Sequence, residues 1–78
     1  MKNFFINLCS EFSDNYDVQE DILGLVIAAD IKIADLGDLT EILIGYDFEL
    51  IEIKESELGG DNCMPVFSKT EVPASGEA

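Results

Sequence analysis

The sequence predicts a small α+β domain, about three short helices followed by one strand that pairs locally or between subunits. Three observations carry that prediction. Phe4, Phe5, Leu8 and Phe12 recur at helical spacing. Asp17-Val18-Gln19-Glu20 has the form of a capping box ahead of a second apolar stripe. Residues 46–54 alternate between apolar and polar side chains, as a half-buried strand does.

The first helix follows from its aromatic stripe, with polar residues filling the other face. Asn3 is its candidate cap, and it fades at Ser13-Asp14-Asn15. The second starts at the capping box, where Val18, Ile22, Leu25, Val26 and Ala29 share one helical face. Gly24 weakens it by about 1 kcal/mol relative to Ala and suggests a close contact there. Ile31 and Ile33 alternate briefly with polar residues, as a short strand or a loop. Asp35 to Ile44 then reads as the third helix, with Leu36, Leu39, Ile42 and Leu43 inside and Gly45 as the C′ residue. In the strand over 46–54 the alternation changes phase at Leu50-Ile51, the mark of a bulge. The composition shifts after Leu58. Residues 1–58 are therefore expected to form the acidic folded domain, and 59–78 a loop and loose C-terminal tail.

Charge narrows the function. The chain of 78 residues carries 4 Lys or Arg, all of them Lys, against 17 Asp and Glu, a net charge of −13. Direct nucleic-acid binding needs cations to displace counterions, so it is not expected. An anionic membrane surface would repel the chain for the same reason. With His at 0, imidazole catalysis and imidazole metal ligation are excluded. A short acidic chain leaves little room for a substrate cleft, so no enzyme activity is expected. Asp30 to Glu41 has an EF-hand's terminal carboxylates, but Lys32 and Ala34 fill ligand positions and Asp35 stands where Gly is required. No metal and no cofactor is expected. Cys9 reads as a core thiol and Cys63 as a tail thiol in a reducing compartment. Asn7, Ser10 and Glu11 interrupt the N-terminal apolar patch before it reaches signal-peptide length. The expected location is the cytoplasm, a host's if the chain is phage-encoded.

All but two of the 17 acidic residues fall between Glu11 and Asp61, while Lys2 and Lys69 offset the other two, Glu71 and Glu77, at the ends. The charge therefore belongs to a folded surface. Self-repulsion on that scale costs stability, and solubility needs less of it. Two readings follow, a generically acidic protein or a surface shaped to meet a cationic groove. The candidate partner-binding residues are Asp14, Asp17 and Asp21 at the first junction, and Tyr46, Asp47, Glu49 and Glu52 along the strand. Asp47 and Glu49 would project on one side about 6.8 Å apart. Tyr46, Phe48 and Phe67 are the candidate apolar anchors, since aromatic residues dominate binding hot spots.

Two resemblances bear on this. The stretch Leu36-Gly37-Asp38-Leu39-Thr40-Glu41-Ile42-Leu43-Ile44-Gly45, continued by Tyr46 to Leu50, is similar to the last helix and terminal strand of Xre-family helix-turn-helix antitoxins. Gln19 to Gly24 resembles an earlier part of such proteins, so the similarity spans residues 18–53. It implies a helix–strand frame and dimerisation. The recognition helix is missing between Ala29 and Ile33 and no basic DNA-contacting residues remain, so DNA binding is not implied. In character, the chain resembles small acidic phage-encoded inhibitors that mimic DNA, of the anti-CRISPR or uracil-DNA glycosylase inhibitor type. That resemblance implies an inhibitor blocking the basic nucleic-acid groove of a host defence or repair complex. Its partner would be a basic nucleic-acid-binding protein or CRISPR effector complex. The alternative is an Xre-like antitoxin or partner-binding fragment, acting by protein contacts and as a homodimer.

Overall fold

A computed structural model describes residues 2–70, the side chain of Asp21 excepted. In order along the chain come α1 (Lys2–Ser10), β1 (Tyr16–Asp21), β2 (Gly24–Ala29), β3 (Ile31–Lys32), α2 (Ile33–Gly45), β4 (Glu49–Glu55) and β5 (Asn62–Thr70). All strand pairs are antiparallel. β1 and β4 are the edges, and β5 lies between β2 and β4. β3 pairs with β5 in the register that β2 began, so β2 and β3 are one strand interrupted at Asp30. There the Asp30 N–H donates to the Asn15 carbonyl at 2.8 Å, continuing the register of β2 against β1. The residue facing Ala29 across that break is Pro65, which has no N–H to offer a neighbour.

This is a strand-rich α+β fold, and it corrects the expectation of three helices and one strand. The segment expected as the second helix is the β1–β2 hairpin. Its residues fit both periods, but Leu25, Ile27, Ala29 and Ile31 alternate strictly and are all buried. Val18, Val26 and Ile27 are also β-branched, which favours the pleated alternative. Residues 62–70, expected within the loop and tail, are instead the central strand. The rest of the expected tail, 71–78, lies outside the described residues.

The helices cover one face. α1 lies against β1, and α2 against β5, β3 and β4. Beneath them Val18, Ile27, Phe67 and Leu50 form one apolar row across the sheet, set by direct register. Phe5 and Cys9 of α1 and Leu39 and Leu43 of α2 close onto it, all fully buried. Phe48 joins them, and Cys63 is a core thiol rather than a tail one. Both cysteines are free. Burial pushes the Cys9 thiol up to about 11, and burial, then the Asp30 charge, raises Cys63. Both therefore stay protonated and inert near neutral pH.

α2 ends in a Schellman turn. Asp47 N–H donates to the Ile44 carbonyl and Phe48 N–H to the Leu43 carbonyl, each at 2.9 Å. The C′ residue is thus Asp47, with φ 71°, and not Gly45. The expected bulge is present, with the β4 register slipping by one between Leu50 and Glu52.

Asp30 fixes the far end of the sheet. Its carboxylate is 1% exposed. Ser56 Oγ donates to Oδ1, the amides of Glu57 and Leu58 to Oδ2 at 3.0 and 3.4 Å, and Asn62 Nδ2 to Oδ1 at 3.4 Å. The Ser56 hydrogen bond leads in holding this carboxyl below its ordinary value, against the opposing effect of burial. A pKa depressed in the folded state means that ionised Asp30 stabilises the fold above the ordinary carboxylate value of about 3.9. That contribution is lost as pH falls through the folded-state value. Asp30→Asn presents an amide to the same donors. We expect a Tm lower by several degrees at pH 7, with the gap closing as pH falls through the depressed folded-state value, as a series of thermal melts against pH would record.

Candidate partner-binding face

No helix covers the second face of the sheet among the described residues. Strand alternation decides which side chains it presents. Two cross-strand rows cross it in direct register. One runs Asp17, Ala28, Val66, Glu52, and the next runs Gln19, Val26, Ser68, Glu49. Gln19 Nε2 donates to Asp17 Oδ2 at 2.7 Å, which holds both on this face. The outer ends of the rows are exposed, while Ala28 and Ser68 are half-buried and Val66 is buried. Three interstrand spacings of about 4.8 Å separate the two edges, about 14 Å in all. The face is therefore a narrow strip of small side chains, with Asp17 and Gln19 on one rim and Glu49 and Glu52 on the other.

Charge varies along it. Lys54 pairs with Met64 and Lys32 with Asn62, toward the end that Asp30 closes. The carboxylate rows lie toward the β1–β2 hairpin. The tip of that hairpin is Ile22-Leu23, 95% and 59% exposed. Two-residue hairpin turns normally take Asn-Gly or a Gly pair, which tolerate positive φ. Two large aliphatic side chains there leave an apolar point in water beside an acidic face.

The structure brings together Asp17, Glu49 and Glu52 of the expected partner-binding residues. Asp21 stands at the hairpin end of β1, opposite Gly24. Asp14 is exposed in the turn before β1. Asp47 and Tyr46 belong elsewhere. Asp47 caps α2 and is not on a strand beside Glu49, because the helix runs to Gly45 and the strand starts only at Glu49. Tyr46 lies on the helix side, its ring centroid 5.2 Å from Phe4 and 5.6 Å from Phe5. Phe48 and Phe67 are 4% and 0% exposed, so core burial removes both as anchors. The exposed apolar point is instead Ile22-Leu23, which the sequence hid because it carries none of the usual turn residues.

The face offers charge and shape. Among the described residues no group of His, Cys, Asp and Glu could hold a metal ion. No helix there is long and apolar enough to cross a membrane. Comparisons with protein-family profiles, curated proteins and solved structures return no match.

Proposed function

We propose that this protein is an acidic inhibitor that occupies the basic nucleic-acid groove of a defence or repair complex, as a mimic of nucleic acid. One observation carries the reading: Asp17 on one rim and Glu49 and Glu52 on the other, about 14 Å apart, flank the sheet face that no helix covers among the described residues. That separation is of the order of the major-groove width of B-DNA, about 12 Å. A groove built to grip two phosphate strands presents Lys and Arg at a comparable spacing. The strip between the rims is small enough to let the two surfaces close. Ile22-Leu23 supplies an apolar anchor at the end of the face, and charge supplies steering and register. The net charge of −13 then raises the association rate and makes binding weaken with salt.

The test is binding to purified nucleic-acid-binding complexes, CRISPR effectors and uracil-DNA glycosylase among them. We expect a partner whose affinity falls with ionic strength. Asp17→Lys with Glu49→Lys should weaken it at least tenfold and flatten that dependence. Unchanged affinity and salt slope would mean that the face is not the contact surface.

A second reading, a partner-binding antitoxin fragment, is favoured by the order of elements over 33–55, a helix closing into a strand. Capture of a toxin, unaffected by DNA, would decide for it.

A further inference from the structure

β4 is an edge strand whose only partner among the described residues is β5. Natural edges are shielded by bulges, prolines, inward charges or short length. β4 has a bulge at its start, but from Glu52 to Glu55 its register against β5 is regular. Its apolar residues are open to water, Ile51 at 55% and Ile53 at 51%. The flank of α2 above it is apolar as well. At 100° per residue, Ile33 and Ile44 fall on the side of α2 away from Tyr46, which touches α1. Those two are 56% and 57% exposed. A strand with free backbone groups thus runs beside an uncovered aliphatic strip.

We infer that β4 pairs antiparallel with β4 of a second copy, joining two sheets into one. The charge pattern selects that occupant and its register. A two-fold axis normal to the sheet centres the pairing on a single residue. Centring on Glu52 sets it against its own copy and Glu49 against Glu55. Centring on Lys54 opposes two lysines. Centring on Ile53 sets Ile53 on Ile53 and places Glu52 opposite Lys54 of the partner copy, twice. Opposite charges directly across an antiparallel pair stabilise it, and like charges weaken it. Glu52 also stands on the rim of the open face, whereas Asp17 and Glu49, the residues that test the function proposed above, lie outside the charged pairs, so the two proposals are tested at different residues.

Sedimentation equilibrium from micromolar to millimolar protein, across a range of NaCl, tests it. The expected result is a monomer–dimer equilibrium, with a dimer of twice the 8.6 kDa chain mass. Association should strengthen as salt screens the net charge, the reverse of binding to a basic partner. Glu52→Lys and Lys54→Glu should each weaken the dimer at least tenfold. The double variant, which restores opposite charges across the seam, should return to within about threefold of the parent. The two single changes shift the net charge in opposite directions, so a general charge effect would separate them, whereas the register predicts loss in both. Amide exchange adds a backbone reading: protection over 52–54 should rise with protein concentration. A monomer throughout, a double variant as weak as the singles, or concentration-independent exchange in β4 would overturn the inference.

Discussion

Phe5→Ala is expected to abolish cooperative folding at 25 °C. Phe5 is fully buried, and its ring meets Phe4 and Phe48 at 5.0 Å and Tyr46 at 5.6 Å, each edge to face. It is where α1, the end of α2 and the entry to β4 come together. Removing a buried Phe side chain costs about 3–5 kcal/mol. A core in a chain this short supplies a net stability of the same size, roughly 3–5 kcal/mol. The loss therefore spans the whole margin instead of a fraction of it. Near-ultraviolet circular dichroism and amide NMR dispersion should collapse, with far-ultraviolet signal partly retained. Phe4→Ala is the control. Its ring is 47% exposed, so the same truncation should leave a cooperative melt. A Phe5→Ala protein melting within a few degrees of the parent would mean that α1 does not dock through this ring.

The second large effect is expected at Gly24, where β2 leaves the hairpin. Gly24 has φ 151°, and a Cβ there would sit 1.9 Å from the Lys69 carbonyl oxygen. Both the conformation and the approach exclude a side chain. Gly24→Ala must break the β2–β5 pairing at that end or twist the hairpin. We expect a loss of about 3 kcal/mol or more in urea unfolding, given the cost of strained backbone and displaced neighbours. Gly37, in the middle of α2, has nothing within 4 Å of its would-be Cβ. Gly37→Ala should stabilise the protein by about 0.5–1 kcal/mol. The same methyl group thus has opposite signs at two glycines. Equal effects at both would contradict the close passage of β2 over β5.

What the sequence could disclose depended on whether one period stood alone. In α2 the stripe of Leu36, Leu39 and Leu43 has no competing alternation, and the helix is there. In β4 the phase change at Leu50-Ile51 was readable as a bulge because the residues around it alternate cleanly. Over 18–29 the two periods coincide, and a chance capping box tipped the reading toward helix. A hairpin turn made of Ile22-Leu23 sent no opposing signal. Pro65 lies in the segment read as a loop and tail, yet β5 is central, with that proline facing Ala29 next to the break at Asp30. The hydrogen bonds that gather Ser56, Glu57, Leu58 and Asn62 on Asp30 connect residues more than twenty-five apart in sequence and leave no local pattern. For the candidate site, the sequence placed the charge on folded elements. It could not place Asp17 across one sheet face from Glu52, because that arrangement needs β2 and β5 between them. It also could not separate the carboxylates of the open face from Asp47, whose backbone conformation makes it a helix cap.

Mimicry makes one demand that general acidity does not: partner and nucleic acid must exclude each other. Once a partner is in hand, the direct measurement is a titration of its complex with this protein by duplex DNA at fixed ionic strength. Simple competition is expected, with the apparent Kd rising in proportion to duplex concentration and no species holding all three components. A ternary complex of partner, DNA and this protein, with the affinity for this protein unchanged, would contradict it.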